Sequence, residues 1–126
     1  MASSSNRPLF EKLGFKREYK TAVVDAPMGF NIPSGVIENP RLSGEFDLIL
    51  FFAFNKSDLH RKLPGLKKVL KSNGKVWVAW QKGKITDLDR DNICSIGEGV
   101  GLDSVSSCSV DDRWSALKLM YPKAER

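Results

Sequence analysis

The amino-acid sequence predicts an α/β fold, a mostly parallel sheet closed by a C-terminal antiparallel hairpin with helices on both faces. Three observations carry that expectation. The run Phe46-Asp-Leu-Ile-Leu-Phe-Phe-Ala-Phe54 is almost continuously apolar. A central parallel strand covered on both sides reads this way, whereas a half-exposed strand alternates. Strand-like and helix-like segments then take turns along the chain, as parallel strands joined by crossovers require. Finally, only Asp111-Asp112-Arg113 separates the last two strand-like segments, which leaves room for a turn and forces the closing strand to run antiparallel. A chain of 126 residues is one domain's worth, expected over residues 7–126 behind a disordered tail at residues 1–6.

Taken in order, Pro8 to Leu13 suits a short helix stopped by Gly14. Thr21-Ala-Val-Val-Asp25 reads as the first strand, rich in β-branched residues and ended by Pro27. Residues 26–35 hold two prolines and two glycines and should be mostly loop, with a short second strand at Val36 to Glu38. After the apolar strand, Asn55 suits a helix N-cap. Leu59, Leu63, Leu66, Val69 and Leu70 recur at helical spacing, predicting a helix from Lys56 to about Lys71, strained by Pro64 and ended by Asn73-Gly74. Lys75-Val-Trp-Val-Ala-Trp80 is the next buried strand. Thr86 with Asp89 looks like a capping pair opening a helix to Gly97 or Gly99, with Ile93, Ile96 and Val100 on one side and Cys94 on the other. The serine-rich stretch Asp103 to Ser109 suits a sheet edge, where hydrophobicity would invite aggregation, and Trp114 to Tyr121 closes the sheet.

Composition narrows the function classes. No apolar run approaches the ~18 residues of a membrane span, so no membrane association is expected. The N-terminus reads MASSSNRP, without the apolar stretch of a secretory signal. Two cysteines and one histidine supply neither a four-ligand Cys/His zinc site nor a disulfide framework, which fits a cytoplasmic chain. The net charge is +5, unevenly spread. Lys56 to Lys84 contains nine basic residues against Asp58 alone, +8, leaving −3 for the remainder. Such a stripe is a weakly supported candidate for nucleic acid, the competing reading being one solvated helix face. No nucleophile motif is present, and His60 should project from the basic helix, so no catalytic or metal-binding residue is assigned.

Phe46-Asp47-Leu48-Ile49 resembles the fourth strand of class I S-adenosylmethionine-dependent methyltransferases, and Leu70-Lys71-Ser72-Asn73-Gly74-Lys75-Val76 is similar to their turn into the fifth strand. More closely, nearly the whole chain resembles a bacterial family of small methyltransferase-like proteins with no established activity. The matching pieces are Lys12-Leu13-Gly14, Asp25-Ala26-Pro27-Met28-Gly29-Phe30, Phe46-Asp47-Leu48, Trp77-Val78-Ala79-Trp80, Thr86-Asp87-Leu88, Arg90-Asp91 and, most specifically, Trp114-Ser115-Ala116-Leu117-Lys118. The resemblance implies a Rossmann-like, truncated methyltransferase fold. Its departure lies after the first strand, where the family's glycine-rich cofactor loop is replaced by Asp25-Ala26-Pro27-Met28-Gly29. One glycine remains and Pro27 has no amide donor. The connection to the second strand is also too short for a full crossover helix, and Glu38 lies only thirteen residues beyond Asp25. No cofactor is therefore expected, S-adenosylmethionine included.

Ligands of open parallel sheets bind beyond the carboxyl ends of the strands. That edge should collect Asp25, Pro27, Asn55, Trp80, Lys82, Asp87, Asp112, Arg113 and Trp114 as candidate ligand-binding residues. Trp80 and Trp114 would form an apolar wall, with Lys82 close to Asp111 or Asp112 on its rim. The competing reading has both tryptophans packing helices onto the sheet. The expected function is a non-catalytic binding or regulatory module for an unidentified protein or small molecule. The alternative is a reduced methyltransferase or other small-molecule transferase with a pocket near Asp25, Trp80 and Trp114.

Overall fold

The computed structural model describes residues 7–126; the tail expected at residues 1–6 lies outside the described residues. The chain runs α1 (Arg7–Leu13), β1 (Thr21–Val24), β2 (Val36–Glu38), β3 (Phe46–Phe52), α2 (Lys56–Lys68), β4 (Leu70–Gln81), α3 (Arg90–Gly99), β5 (Asp103–Ser109) and β6 (Trp114–Met120). The strands form one sheet in the order β2-β1-β3-β4-β6-β5. β2, β1, β3 and β4 are mutually parallel, and β6 is antiparallel to both β4 and β5. The mostly parallel sheet and its antiparallel hairpin are thus as expected from the sequence.

β3 lies at the centre of the sheet and is buried at every position except Asp47. Alternation sends Phe51 and Phe52 to opposite faces, and both are fully buried. Phe51 joins the cluster formed with Leu59, Leu63 and Leu66 of α2 and Ile93 of α3. Phe52 joins the second cluster, with Leu9, Phe10 and Leu13 of α1. That second face has only one short helix, and Phe15, Tyr19, Phe30 and Ile32 from the connecting segments complete its cover.

The structure corrects two element ends. α2 stops at Lys68, with Val69 as its C-cap, and β4 begins directly at Leu70. Val69 and Leu70 are buried, as their apolar character requires, but from outside the helix. Asn73-Gly74 therefore lies within β4, where the pairing with β3 jumps from Phe46↔Leu70 to Leu48↔Lys75. A side chain on Gly74 would stand 2.7 Å from Leu70 Cδ1 and 2.9 Å from the Phe46 carbonyl oxygen, so glycine is needed there for close packing. In α3 the N-cap is Asp89 paired with Asn92 in a capping box, while the Thr86 hydroxyl donates to the Phe54 carbonyl at 2.8 Å. Cys94 packs at the margin of the α2/α3 cluster, on the same side as Ile96 and Val100.

Because each ring is wholly enclosed, Phe51→Ala and Phe52→Ala should each lower unfolding free energy by about 3–5 kcal/mol in urea titrations. Gly74→Ala should cost about 1–3 kcal/mol by overpacking, since two of the three nearest atoms are main-chain carbonyl oxygens.

Candidate functional site

From β1 the sheet grows outward to β2 on one side and to β3 on the other, so the strand order reverses between them. The crevice of such a sheet opens at the carboxyl ends of those strands. Here it is bordered by the segment after β1 and by the β5–β6 turn.

The segment after β1 is held at both ends. Asp25 has left-handed backbone (φ 58°), and its N–H donates to the Asn39 side-chain oxygen at 2.8 Å. The Asn39 N–H in turn donates to the Val23 carbonyl at 2.7 Å. Pro27 to Phe30 forms a β-turn closed by the Phe30 N–H on the Pro27 carbonyl at 3.1 Å, with Gly29 supplying the positive φ of 85° that its third position demands. The turn leaves Met28 fully exposed and sends Phe30 back onto the sheet. Its ring meets Phe52 edge-on, with centroids 4.9 Å apart, and Phe52 meets Trp114 at the same distance. Phe54, 40% exposed, stacks edge-on against Trp114 at 5.3 Å.

The β5–β6 turn is organised by Asp111. Its carboxylate accepts the N–H groups of Arg113 and Trp114 at 2.8 and 3.0 Å. Lys82 anchors the turn from β4, its N–H donating to the Arg113 carbonyl and its amine to the Ser109 hydroxyl, both at 2.8 Å. Between the two segments lies an open cavity of about 340 Å³, lined by Pro27, Met28, Phe30, Asp111, Arg113 and Trp114 among others.

Of the residues the sequence assembled here, the structure brings Pro27, Arg113 and Trp114 to this cavity, with Asp112 exposed in the adjoining turn. Trp80 goes elsewhere: Gln81, not Trp80, pairs with Trp114, so the two indoles face opposite sides of the sheet and form no common wall. The Lys82 amine meets Ser109 rather than a carboxylate. Asn55 is occupied in capping α2 through the Asp58 N–H. Asp87 accepts the Lys56 N–H at 2.8 Å, and Asp25 lies 3.6 Å from the Lys62 amine. The sequence reading missed Phe30, Phe54 and the exposed Met28. The available signal was Pro-Met-Gly-Phe, a turn whose glycine dictates where the aromatic points.

The Lys56–Lys84 stripe is dispersed by the fold. Arg61, Lys62 and Lys71 pair with Asp58, Asp25 and Asp47, and Lys75 belongs to the α1 face of the sheet with Trp77. Among the described residues no three His, Cys, Asp or Glu side chains are grouped to hold a metal ion. No helix in the described residues is long and apolar enough to cross a membrane.

No protein-family model matches the sequence, and no curated protein matches it. Solved structures do match its fold. A TehB-like S-adenosylmethionine-dependent methyltransferase from Corynebacterium glutamicum superimposes with a TM-score of 0.66 at 12% identity, covering 91% of this chain and 86% of the other. The glycopeptide N-methyltransferase MtfA, complexed with sinefungin, gives 0.65 at 8% identity over 96% and 94% of the two chains. Magnesium protoporphyrin IX methyltransferase from Synechocystis PCC 6803, with bound S-adenosylmethionine, gives 0.66 at 7% identity over 96% and 78%. The chain is therefore an α/β protein of the Rossmann-like, class I methyltransferase fold.

Asp111→Ala strips two amides of their acceptor at the cavity wall. It should cost about 1 kcal/mol of stability and shift Trp114 fluorescence to longer wavelength, read by thermal melting and emission spectra.

Proposed function

We propose that this chain is a non-catalytic binding module, a methyltransferase-like domain whose post-β1 segment serves structure instead of a cofactor. Its binding site is the carboxyl-edge cavity between Pro27–Phe30 and Asp111–Trp114, which offers the exposed Met28 and the Arg113 guanidinium over a floor at the buried Trp114 to a small molecule or a protein segment. Its lining mixes apolar side chains with those of Asn31, Asp111 and Arg113, polar groups of the kind that fix a ligand's orientation. Two half-buried free thiols suit a reducing compartment, and we take the module to be cytoplasmic.

The observation that carries this reading is the state of the amides after β1. A nucleotide-like cofactor is cradled there by free main-chain N–H groups and a helix N-terminus. In this chain the Asp25 N–H is taken by Asn39, Pro27 has none, and the Phe30 N–H closes its own turn. Residues 25–35 contain no helix. A side chain on Gly29 would meet nothing within 4 Å, so this glycine serves backbone conformation and no close approach. With those three positions withdrawn, we take the segment to be a poor cradle for S-adenosylmethionine.

A second reading, a reduced methyltransferase, draws support from MtfA and the protoporphyrin methyltransferase, whose structures hold S-adenosylmethionine or sinefungin on the same fold. It also draws on Glu38, exposed at the carboxyl end of β2. Isothermal titration with S-adenosylmethionine and S-adenosylhomocysteine separates the two. The binding-module reading expects no saturable heat at millimolar ligand. Saturable binding lost in Glu38→Ala would replace it with the transferase.

A further inference from the structure

The α1 face carries a group of cations that the sequence scatters over five segments. Lys118 of β6 alternates with Trp114 and Ala116 and so faces α1, its amine 5.5 Å from the Trp77 ring centre. Lys75 of β4 stands 5.7 Å from the Tyr19 ring, which Lys16 approaches at 5.6 Å. Lys12 of α1 reaches across to the Ser109 carbonyl at 2.9 Å. Arg126 bonds the Tyr121 carbonyl at 2.7 Å and is close enough to act electrostatically on Lys118.

Among the described residues no carboxylate lies within ion-pair distance of these cations. The three ion pairs among the described residues belong to Arg61, Lys62 and Lys71, and residues 1–6 contain no acidic residue to add another. Burial, then Lys75 and Arg126, pull the Lys118 amine below its ordinary range, with only the Cys108 thiol opposing. Holding like charges together without a counter-ion costs stability, and a polyanion would recover it. Beside the cations lies Ser106 of β5, directly paired to Lys118 and exposed, a hydroxyl of the kind that donates to phosphate oxygens. A lipid surface would require apolar side chains to insert, and the exposed ones cluster elsewhere except for Val105.

We propose that this face, Lys12, Lys16, Lys75 and Lys118 with Ser106 of β5, binds the phosphate backbone of nucleic acid without sequence preference. The surface approaches the carboxyl-edge cavity only at Ser109, which Lys12 and Lys82 both bond, and the proposal does not depend on what that cavity holds.

Fluorescence anisotropy with a fluorescein-labelled mixed-sequence single strand of about 16 nucleotides tests it, between about 50 and 200 mM salt. Four phosphate contacts predict a slope of log K against log salt near −3, from about 0.7 per contact. Lys75→Gln with Lys118→Gln should weaken binding at least tenfold and flatten the slope by about 1.4. Lys16→Gln, in an exposed loop where folding is not at risk, should flatten it by about 0.7. Lys67→Gln with Lys68→Gln, on α2, should change neither. Absence of salt-dependent binding, equal loss in the α2 variant, or equally tight binding of polyglutamate or phosphatidylserine vesicles would overturn the proposal.

Discussion

The contact between Phe30 and Phe52, ring centroids 4.9 Å apart, governs the shape of the carboxyl edge. A sheet of six strands is roughly 24 Å wide, and a seven-residue helix is about 10 Å long, so α1 alone cannot roof one face of it. The rest of the cover must come from chain without regular structure. Phe30 supplies it over the centre, bridging Phe10 of α1 at 6.3 Å and Phe52 of β3, which continues edge-on to Trp114 and then Phe54. Each such pair adds about 0.5–1.5 kcal/mol beyond its area burial. This chain of rings fixes the post-β1 segment, and that segment is one wall of the cavity.

The same constraint underlies the proposed loss of a cofactor site. The sheet, its order and its closing hairpin are those of methyltransferases, but a fold hosts a site without determining it. Where a cofactor would need open amides, this chain has Asn39 holding Asp25 and a closed turn at Pro27 to Phe30. On the proposed reading, the aromatic roof and a nucleotide cradle compete for the same residues, and the roof has them.

Much of this was legible in the sequence where a residue's role is set by its neighbours in the chain. The apolar run at Phe46 to Phe52, the Asn55 cap and the short turn before Trp114 all act locally. The end of α2 was not, because Val69 and Leu70 satisfy helical periodicity and a buried strand equally well; the tight packing at Gly74 against Leu70 and Phe46 decides it. The two tryptophans were misjudged for a similar reason. Both sit at the carboxyl edge, yet a one-residue offset in register puts Trp80 on the α2/α3 face and Trp114 on the other. Charge proved least readable of all. The stripe that is contiguous in sequence is broken up by ion pairs to Asp25, Asp47 and Asp58, and the unpaired cluster is assembled from residues more than a hundred positions apart.

The central claim is that the segment after β1 is a fixed part of the core, with the Asp25 and Asn39 amides held within the protein. Native-state amide hydrogen exchange resolved by residue measures this directly. The account predicts that the Asp25 and Asn39 amides exchange nearly as slowly as those of β1, and that Phe30→Ala releases them to fast exchange while β4 stays protected. Unprotected rates for Asp25 and Asn39 in the unaltered protein would mean that the segment is open, and would contradict the account.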